Sequence, residues 1–210
     1  RGIAEILGRQ RIAAGEKWLD VGCGEAPYAH LFSRSVYIGM EVGRGGSASV
    51  PKRQNLIYDG REFPIKSGLI DGVICTQVLE HVREPSHLLG EINRALKPGG
   101  RLLVTAPLFW EEHEQPYDFF RFTSYGMKEL LEGTGFSLVE QIKSAGGMEA
   151  ISQLLSVHVS RSCGKGIRGW QALVNAVMCA PIQALGYLLQ ALLPDSGELY
   201  LNSIILASKR

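Results

Sequence analysis

The sequence lacks paired cysteines and lacks an excess of charge of either sign. None of its four cysteines lies close to another in the chain, so no CxxC motif of a zinc or redox site occurs. Lysine and arginine number 22 against 21 aspartates and glutamates, which leaves a net charge of +1 and argues against a large basic surface for nucleic acid. We therefore expect reduced thiols, no metal site and no nucleic-acid partner.

Two further absences narrow the class of protein. The first residues show no secretory signal, which favours a cytoplasmic protein. The 25 glycines and 9 prolines follow no fixed period, which excludes collagen-like and low-complexity chains. What is present is a chain of 210 residues with 45% apolar and 20% charged side chains, a composition typical of one globular domain with a substantial core.

Most of the chain alternates between short apolar runs and amphipathic segments. The runs predict strands at residues 18–21, 36–42, 55–58, 71–76, 101–106, 136–142 and 200–207. The amphipathic segments predict helices at residues 3–13, 28–34, 84–96, 123–132 and 149–159. This alternation is typical of an α/β fold with a doubly wound, mostly parallel sheet and helices on both faces.

The strongest local signal is Leu-Asp-Val-Gly-Cys-Gly at residues 19–24, where an apolar strand runs into a Gly-x-Gly turn. Gly22 and Gly24 carry no Cβ atom, so the backbone can approach a ligand closely at the carboxyl end of a strand. A dinucleotide site would need a third glycine at position 27, where the chain has Pro27, so NAD and FAD are disfavoured. Taken alone, the motif is equally compatible with a tight structural turn.

Carboxylates also lie at or just after the ends of three of the predicted strands. Asp20 lies beside the glycine turn, where it could face an ammonium group. Glu41 ends the strand at 36–42, where a carboxylate could accept hydrogen bonds from both hydroxyls of a ribose. Asp59 follows the strand at 55–58, where it could accept an amino proton of adenine. Each acid alone could be a solvated loop residue, but their order along the chain favours a nucleoside site.

These motifs together resemble those of the class I S-adenosylmethionine-dependent methyltransferases of the type 11 group. The match is collinear from about residue 15 to about residue 142, and it rests on residues 19–24, 37–41, Asp59 with 63–65, 70–74, 78–82 and 96–102. The group often has aspartate where this chain has Glu41, a change that keeps the carboxylate and lengthens its reach.

The resemblance implies a Rossmann-like fold and S-adenosyl-L-methionine as the cofactor. It implies a cofactor-binding core over residues 1–146, a helical insertion over 147–197 that caps the acceptor or forms an interface, and an antiparallel last strand over 198–210. The cofactor-binding residues that it implies are Asp20, Gly22, Cys23, Gly24, Glu41, Asp59, Gly60, Gln77 and Val78. Glu80 and His81 follow, and we expect His81 to be a capping or packing residue.

A polar loop after the fifth strand supplies the candidate catalytic residues His113, Asp118 and Arg121. In a methyltransferase this loop borders the acceptor pocket. The pKa of a histidine suits His113 to act as a general base on a hydroxyl, and the planar guanidinium of Arg121 could hold a carboxylate or phosphate. The alternative is that Asp118 and Arg121 pair only with each other.

The function implied by the resemblance is transfer of a methyl group to a small or lipid- or sugar-linked acceptor, most simply at oxygen. The acceptor atom would attack in line with the departing thioether, and no metal is required. The alternative is a methyltransferase-like module that binds the cofactor without turnover. A nicotinamide-dependent oxidoreductase is a third interpretation, which Pro27 disfavours.

The region between Arg168 and Asp195 contains no charged residue. Its length is near that of a bilayer span, but Pro181 lies in its middle and glutamines interrupt it. We favour a soluble pair of helices, split at Pro181, packed over the acceptor pocket. The second interpretation is a hairpin that contacts a membrane peripherally, or a homodimer partner, through residues 169–194.

Overall fold

The computed structural model describes residues 2–43, 56–163 and 168–210. The chain forms two compact units. The first contains residues 1–142 and 203–210, and the second contains residues 143–202. The predicted helical insertion, residues 147–197, lies inside the second unit.

Seven strands form the sheet. They are β1 (Lys17–Val21), β2 (Val36–Val42), β3 (Leu56–Tyr58), β4 (Ile70–Thr76), β5 (Leu96–Pro107), β6 (Phe136–Gly146) and β7 (Tyr200–Lys209), and their spatial order is β3-β2-β1-β4-β5-β7-β6. β1 pairs in parallel with both β2 and β4, β2 with β3, and β4 with β5. The last strand is antiparallel, so the predicted fold class is confirmed.

The chain order places a topological switch between β1 and β4. From β1 the chain moves outward to β2 and β3, and it then returns to add β4 on the other side of β1. Open α/β sheets bind ligands at the carboxyl ends of the strands beside such a switch. The predicted glycine turn follows β1 and therefore lies at this position.

The helices of the first unit are α1 (Gly2–Arg9), α2 (Pro85–Ala95) and α3 (Ser124–Gly133), with 3₁₀ turns at Ala29–Phe32 and Leu79–His81. The side chain of Thr123 caps α3, because its Oγ1 accepts a hydrogen bond from the backbone N–H of Gly126 at 3.0 Å.

Two apolar clusters cover the two faces of the sheet, because alternate residues of a strand point to opposite sides. Leu19 and Val73 belong to one cluster, together with the buried face of α2 and α3. Trp18, which precedes Leu19, and Ile74, which follows Val73, belong to the other cluster, together with Ile6 of α1. The helices thus lie on both faces, as the alternation in the sequence predicts.

The helix predicted at 28–34 is wrong in length, since the structure has only the single 3₁₀ turn Ala29–Phe32. Ala26 has a left-handed backbone conformation with φ of +54°, so a right-handed helix cannot extend back through it. The backbone N–H of Ser35 bonds to the carbonyl of Phe32 at 2.9 Å and turns the chain into β2. The segment between Ala26 and Ser35 is therefore too short for an α-helix of ordinary length.

The second unit contains α4 (Gly147–Cys163), α5 (Arg168–Val174) and α6 (Ala180–Leu192). A π-helical turn, Asn175–Cys179, joins α5 to α6, so residues Gly169–Leu192 form one continuous helix of 24 residues. The prediction that Pro181 splits this region is wrong. Proline has no N–H to donate, and the wider π turn just before it accommodates the missing bond within the helix.

Candidate active site

The glycine turn after β1 requires glycine for conformation and, at one position, for packing. Gly22 and Gly24 have φ angles of +69° and +49°. A Cβ atom on Gly22 would lie 2.5 Å from a methyl group of Val78, whereas one on Gly24 would meet nothing within 4 Å. The turn therefore lets the ends of β1 and β4 approach each other at Gly22 and leaves open space at Gly24.

The side chain of Glu41 links this turn to the end of β2. Its Oε2 accepts a hydrogen bond from the backbone N–H of Gly24 at 3.1 Å, and its Oε1 accepts one from Val42 at 3.2 Å. Each carboxylate oxygen keeps a further lone pair, so the group can still accept hydrogen bonds from a pair of hydroxyls. Cys23, between the glycines, is buried and its N–H bonds to the carbonyl of Met40 at 3.2 Å.

Asp20 is 1% exposed, and only one of its two carboxylate oxygens has a hydrogen-bond partner among the described residues. Its Oδ2 accepts a short hydrogen bond from the hydroxyl of Tyr37, while its Oδ1 has no hydrogen-bond partner among the described residues. Burial raises the pKa of this carboxyl to about 7, since the charged form loses its hydration. An ammonium group at Oδ1 would supply both the missing hydrogen bond and the opposite charge.

Asp59 lies at the end of β3, the strand next to β2. Its Oδ1 accepts backbone N–H groups of Arg61 and Glu62 at 2.8 and 3.2 Å, and these bonds hold the pKa of the carboxyl below its usual range. Gly60 follows with φ of +86°. The Oδ1 atom of Asp59 thus shapes its own loop, which leaves Oδ2 as the oxygen for a ligand amino group.

Gln77 turns the chain at the end of β4. Its φ is +54°, and its N–H and side-chain amide both donate to Thr105 of the adjacent β5, at 3.1 and 3.0 Å to Oγ1. This turn places Val78 against Gly22. The structure therefore brings the predicted cofactor residues together at the ends of the four neighbouring strands β1 to β4.

These residues fit an amino-acid nucleoside such as S-adenosyl-L-methionine. Oδ1 of Asp20, which has no partner in the described ranges, suits an ammonium group, and the carboxylate of Glu41 suits ribose hydroxyls. The open space at Gly24 allows backbone contact with the ligand. Within the described part of the chain, these groups belong to separate strand ends, so a ligand that contacts all of them must be extended.

The loop after β5 is held together by an ion pair. Arg121 contacts Asp118 with two hydrogen bonds of 2.6 and 2.7 Å, and its other donors reach backbone carbonyls that include that of Glu111 at 2.9 Å. The guanidinium holds the pKa of Asp118 well below its usual range. The structure thus favours the alternative in which these two side chains pair, and Arg121 acts on the loop and not as a free anion site.

His113 and His81 face each other beside this ion pair. Nδ1 of His113 lies 3.1 Å from the carbonyl of Glu111 and 3.3 Å from Oδ2 of Asp118. Nδ1 of His81 lies 2.8 Å from the carbonyl of Tyr117, and the two rings meet edge to face with centroids 4.6 Å apart. Since a carbonyl can only accept, each Nδ1 carries the proton, and Nε2 keeps a lone pair when the ring is neutral.

Glu80 completes this cluster, and local sequence gave no indication of its role. Its side chain is 0% exposed, and neither carboxylate oxygen has a hydrogen-bond partner within the described ranges. Burial raises its pKa to about 7. Ligand atoms of Glu80, His81 and His113 lie within 4.8 Å of one another, so these three residues could hold a metal ion. The adjacent Glu-His pair, which follows the buried strand β4 after Gln77, Val78 and Leu79, was the available sequence signal.

Comparison with known proteins identifies the family. A family model described as a methyltransferase domain matches residues 1–141. An O-methyltransferase from Pyrenophora dematioidea is 24% identical over 211 aligned positions, which cover 88% of this chain and 77% of the relative. A protein of Mycolicibacterium smegmatis named "Probable S-adenosylmethionine-dependent methyltransferase" is 32% identical over 149 positions, which cover 63% of this chain and 58% of the relative.

Solved structures share the fold. The crystal structure of the (4+2)-cyclase SpnF superimposes with a TM-score of 0.62 at 20% identity, and the match covers 99% of this chain and 80% of that one. The chain spans between 30% and 77% of the length of the first three curated relatives that it matches. The match over residues 1–141 covers most of the described core, and it shows that the chain belongs to the methyltransferase domain family, in the class I S-adenosylmethionine-dependent group.

Proposed function

We propose that the protein transfers a methyl group from S-adenosyl-L-methionine to an oxygen atom of a small or lipid- or sugar-linked acceptor. The observation that carries this proposal is a buried carboxylate oxygen of Asp20, beside the Gly22 turn, that has no hydrogen-bond partner among the residues that the structure describes. The name of the Pyrenophora relative, an O-methyltransferase, supports oxygen as the acceptor atom.

On this proposal the strand ends hold the cofactor, which supplies an electrophilic methyl group on a positively charged sulfur. Asp20 accepts hydrogen bonds from the ammonium group, and Glu41 accepts those of the ribose hydroxyls while it stays bonded to the Gly24 N–H. Asp59 offers Oδ2 to the adenine amino group. Gln77 and Val78 border the sulfur, because they follow β4 and Val78 contacts the glycine turn.

The acceptor side is the cluster around His113. The acceptor hydroxyl oxygen would form a bond to the methyl carbon as the methyl–sulfur bond breaks and the neutral thioether leaves, and Nε2 of His113 would take the hydroxyl proton. Asp118 and the carbonyl of Glu111 hold Nδ1–H, which fixes the ring and leaves Nε2 free to accept. Arg121 keeps Asp118 in place through their paired hydrogen bonds. The role that we propose for Asp118 and Arg121 is therefore to orient the base.

The proposal is tested by binding and by transfer. Calorimetry should show that the protein binds S-adenosylhomocysteine and does not bind NAD, and Asp20→Ala should abolish the first interaction. Incubation with methyl-labelled cofactor and fractionated extract should then yield a product 14 Da heavier than its precursor, which follows from replacing H by CH₃. Binding of NAD in place of the homocysteine compound would overturn the proposal.

A second candidate is a protein that binds the cofactor without methyl transfer. One observation favours it, since the SpnF structure with the same fold is named as a cyclase. Replacement of His113 by alanine separates the two candidates. A transferase is supported if the wild type forms methylated product and His113→Ala does not, while both bind S-adenosylhomocysteine equally well. The binding module is supported if the wild type binds S-adenosylhomocysteine but forms no methylated product with any fraction tested.

A further inference from the structure

The second unit has polar side chains between its helices and leaves many of its large apolar side chains exposed. The two elements concerned are α4 and the continuous helix Gly169–Leu192, which together we call the hairpin. Only 17% of the most apolar window of the long helix is buried. This distribution is the reverse of a water-soluble helical pair, in which the contact between the helices is apolar.

The seam of the hairpin is formed by serines of α4. Ser160 Oγ donates to Oδ1 of Asn175 at 2.9 Å. Ser156 lies against Cys179, whose Sγ is 3.4 Å from the serine carbonyl. A Cβ on Gly186 would lie only 2.1 Å from Oγ of Ser152, so the helices are in close contact there. Small and hydrogen-bonding residues of this kind are what helix pairs in lipid use at their contacts.

Further polar contacts extend the seam to both ends. The side-chain amide of Gln183 donates to the carbonyl of Ser152 at 3.4 Å, and Oε1 of Gln190 accepts the N–H of Met148 at 2.7 Å. The glutamines that interrupt the uncharged region are therefore turned toward α4. They satisfy backbone groups there, and they leave the opposite side of the long helix without polar side chains from these positions.

The outward side of the long helix is apolar. Seven of its large side chains are between 50% and 70% exposed: Trp170, Leu173, Val177, Leu185, Tyr187, Leu188 and Leu192. On α4, Ile151 and Leu155 are also exposed, at 45% and 47%. An exposed apolar surface of this extent on one element marks a site of interaction.

We infer that the outward side of the hairpin inserts into the surface of a lipid bilayer. Lipid fits this surface better than a second copy of the chain does, because the polar groups that a protein interface would pair across its contact are already used in the seam. The continuous helix is about 36 Å long at ~1.5 Å per residue, which suits an element lying along or into the acyl boundary.

The charges of the chain support a peripheral position. The sequence has no charged residue from 169 to 194, while Lys165 and Arg168 come shortly before position 169 in the sequence. Basic residues beside an apolar helix are attracted to the phosphates of anionic lipids. Carrying this basic segment across the hydrocarbon core would be costly, so insertion into one leaflet is favoured over a span.

The test is flotation of the purified chain with vesicles of phosphatidylcholine alone and with added phosphatidylglycerol. We expect the wild-type chain to float, more completely with the anionic lipid. The variant Leu185→Glu/Leu188→Glu should bind vesicles at least about tenfold more weakly, because two carboxylates replace apolar side chains at the lipid boundary. The matched control is Val139→Glu, which places a carboxylate at a 59% exposed valine of β6 in the first unit and should leave flotation unchanged.

Calorimetry with S-adenosylhomocysteine on the same variants reports on folding of the core and on the proposed cofactor site independently of the lipid result. Light scattering without vesicles reports on self-association. A wild-type chain that stays with the unbound fraction in both vesicle types overturns the inference. So does a wild-type dimer that the double variant converts to a monomer while neither protein floats, because the occupant of the surface is then a second copy.

Discussion

The hydroxyl of Tyr37 donates its hydrogen bond to one carboxylate oxygen of Asp20 and leaves the other without a partner among the described residues. Two neighbouring strands supply the pair, since Asp20 lies in β1 and Tyr37 in β2. Burial raises the pKa of this carboxyl to about 7, so its neutral form is favoured below that pH. A cation bound at the free oxygen would favour ionisation, so binding and protonation are linked at this residue.

The first prediction concerns pH. The pKa of Asp20 is raised to about 7 from 3.8, so binding of a cationic ligand at Oδ1 must displace a proton below that pH. We expect the affinity for S-adenosylhomocysteine to rise between pH 6 and pH 8. These two pH values lie about one unit below and one unit above the raised pKa. The variant Asp20→Asn keeps the Tyr37 bond, binds more weakly, and should lose this pH dependence. Calorimetry at the two pH values measures both effects.

The same shift predicts a change in stability. A carboxyl whose pKa is raised by folding favours the folded state below its unfolded pKa, and this contribution is lost as the pH rises through about 7. Asp20→Asn removes the titration, so the variant should gain stability relative to the wild type at pH 8 and not at pH 4, by at most about 4 kcal/mol. Thermal unfolding at both pH values measures the difference, and equal differences at the two would contradict it.

The second prediction separates the two glycines of the turn. Gly22→Ala introduces both a disfavoured φ and a contact of 2.5 Å with Val78, whereas Gly24→Ala introduces only the φ. We expect Gly24→Ala to lower stability by about 1 kcal/mol and Gly22→Ala to lower it more. Denaturant unfolding gives both values.

A double variant tests the cause. Val78→Ala removes the methyl group that a Cβ at position 22 would meet. If the contact is responsible, Gly22→Ala/Val78→Ala should be more stable than the sum of the two single effects predicts. Strict additivity would show that the backbone conformation alone accounts for the loss.

The third prediction concerns His113. His113→Ala should lower kcat about 10² to 10⁴-fold, the range for loss of a general base, with little change in binding of S-adenosylhomocysteine. Asp118→Asn should lower kcat less, because Glu111 still accepts a hydrogen bond from Nδ1. Single-turnover kinetics with labelled cofactor measures the chemical step. Equal rates in the wild type and His113→Ala would remove the base from the mechanism.

The fourth prediction is that a chelator leaves turnover unchanged. A histidine base needs no cation, even though Glu80, His81 and His113 are close enough to hold one. Activity before and after treatment with EDTA, followed by dialysis, measures this. A loss that zinc or magnesium restores would assign these three side chains to a metal centre and would replace the role proposed for His113.

Local pattern was sufficient for the core of the fold. The strand at 36–42 has the bounds of β2, and the strand at 18–21 differs from β1 by one residue. Such strands are apolar on both faces because helices cover both sides, and a continuous apolar run shows this directly. The carboxylates near the ends of these strands were located in the same way, because strand ends are where such a sheet binds ligands.

Features that depend on distant residues were not predictable from local pattern. Nothing near Glu80 in the sequence shows that residues 113–121 will cover it, although its carbonyl accepts the N–H of Phe119 at 2.8 Å. The helix through Pro181 likewise depends on a π turn that no composition rule predicts. The glutamines of that helix suggested an interrupted apolar segment, but their direction toward α4 comes only from the packing of two elements.

The hydrogen bonds of Arg121 have a consequence for the loop after β5, which we propose to border the acceptor. The guanidinium of Arg121 donates hydrogen bonds to Asp118 and to the carbonyls of Trp110, Glu111 and Phe120, and these bonds hold the loop in one conformation. The conformational entropy of this segment is thus lost when the protein folds and not when an acceptor arrives. Binding of an acceptor would then require no ordering of the loop, and selectivity among acceptors would come from the fixed shape of this hydrogen-bonded segment.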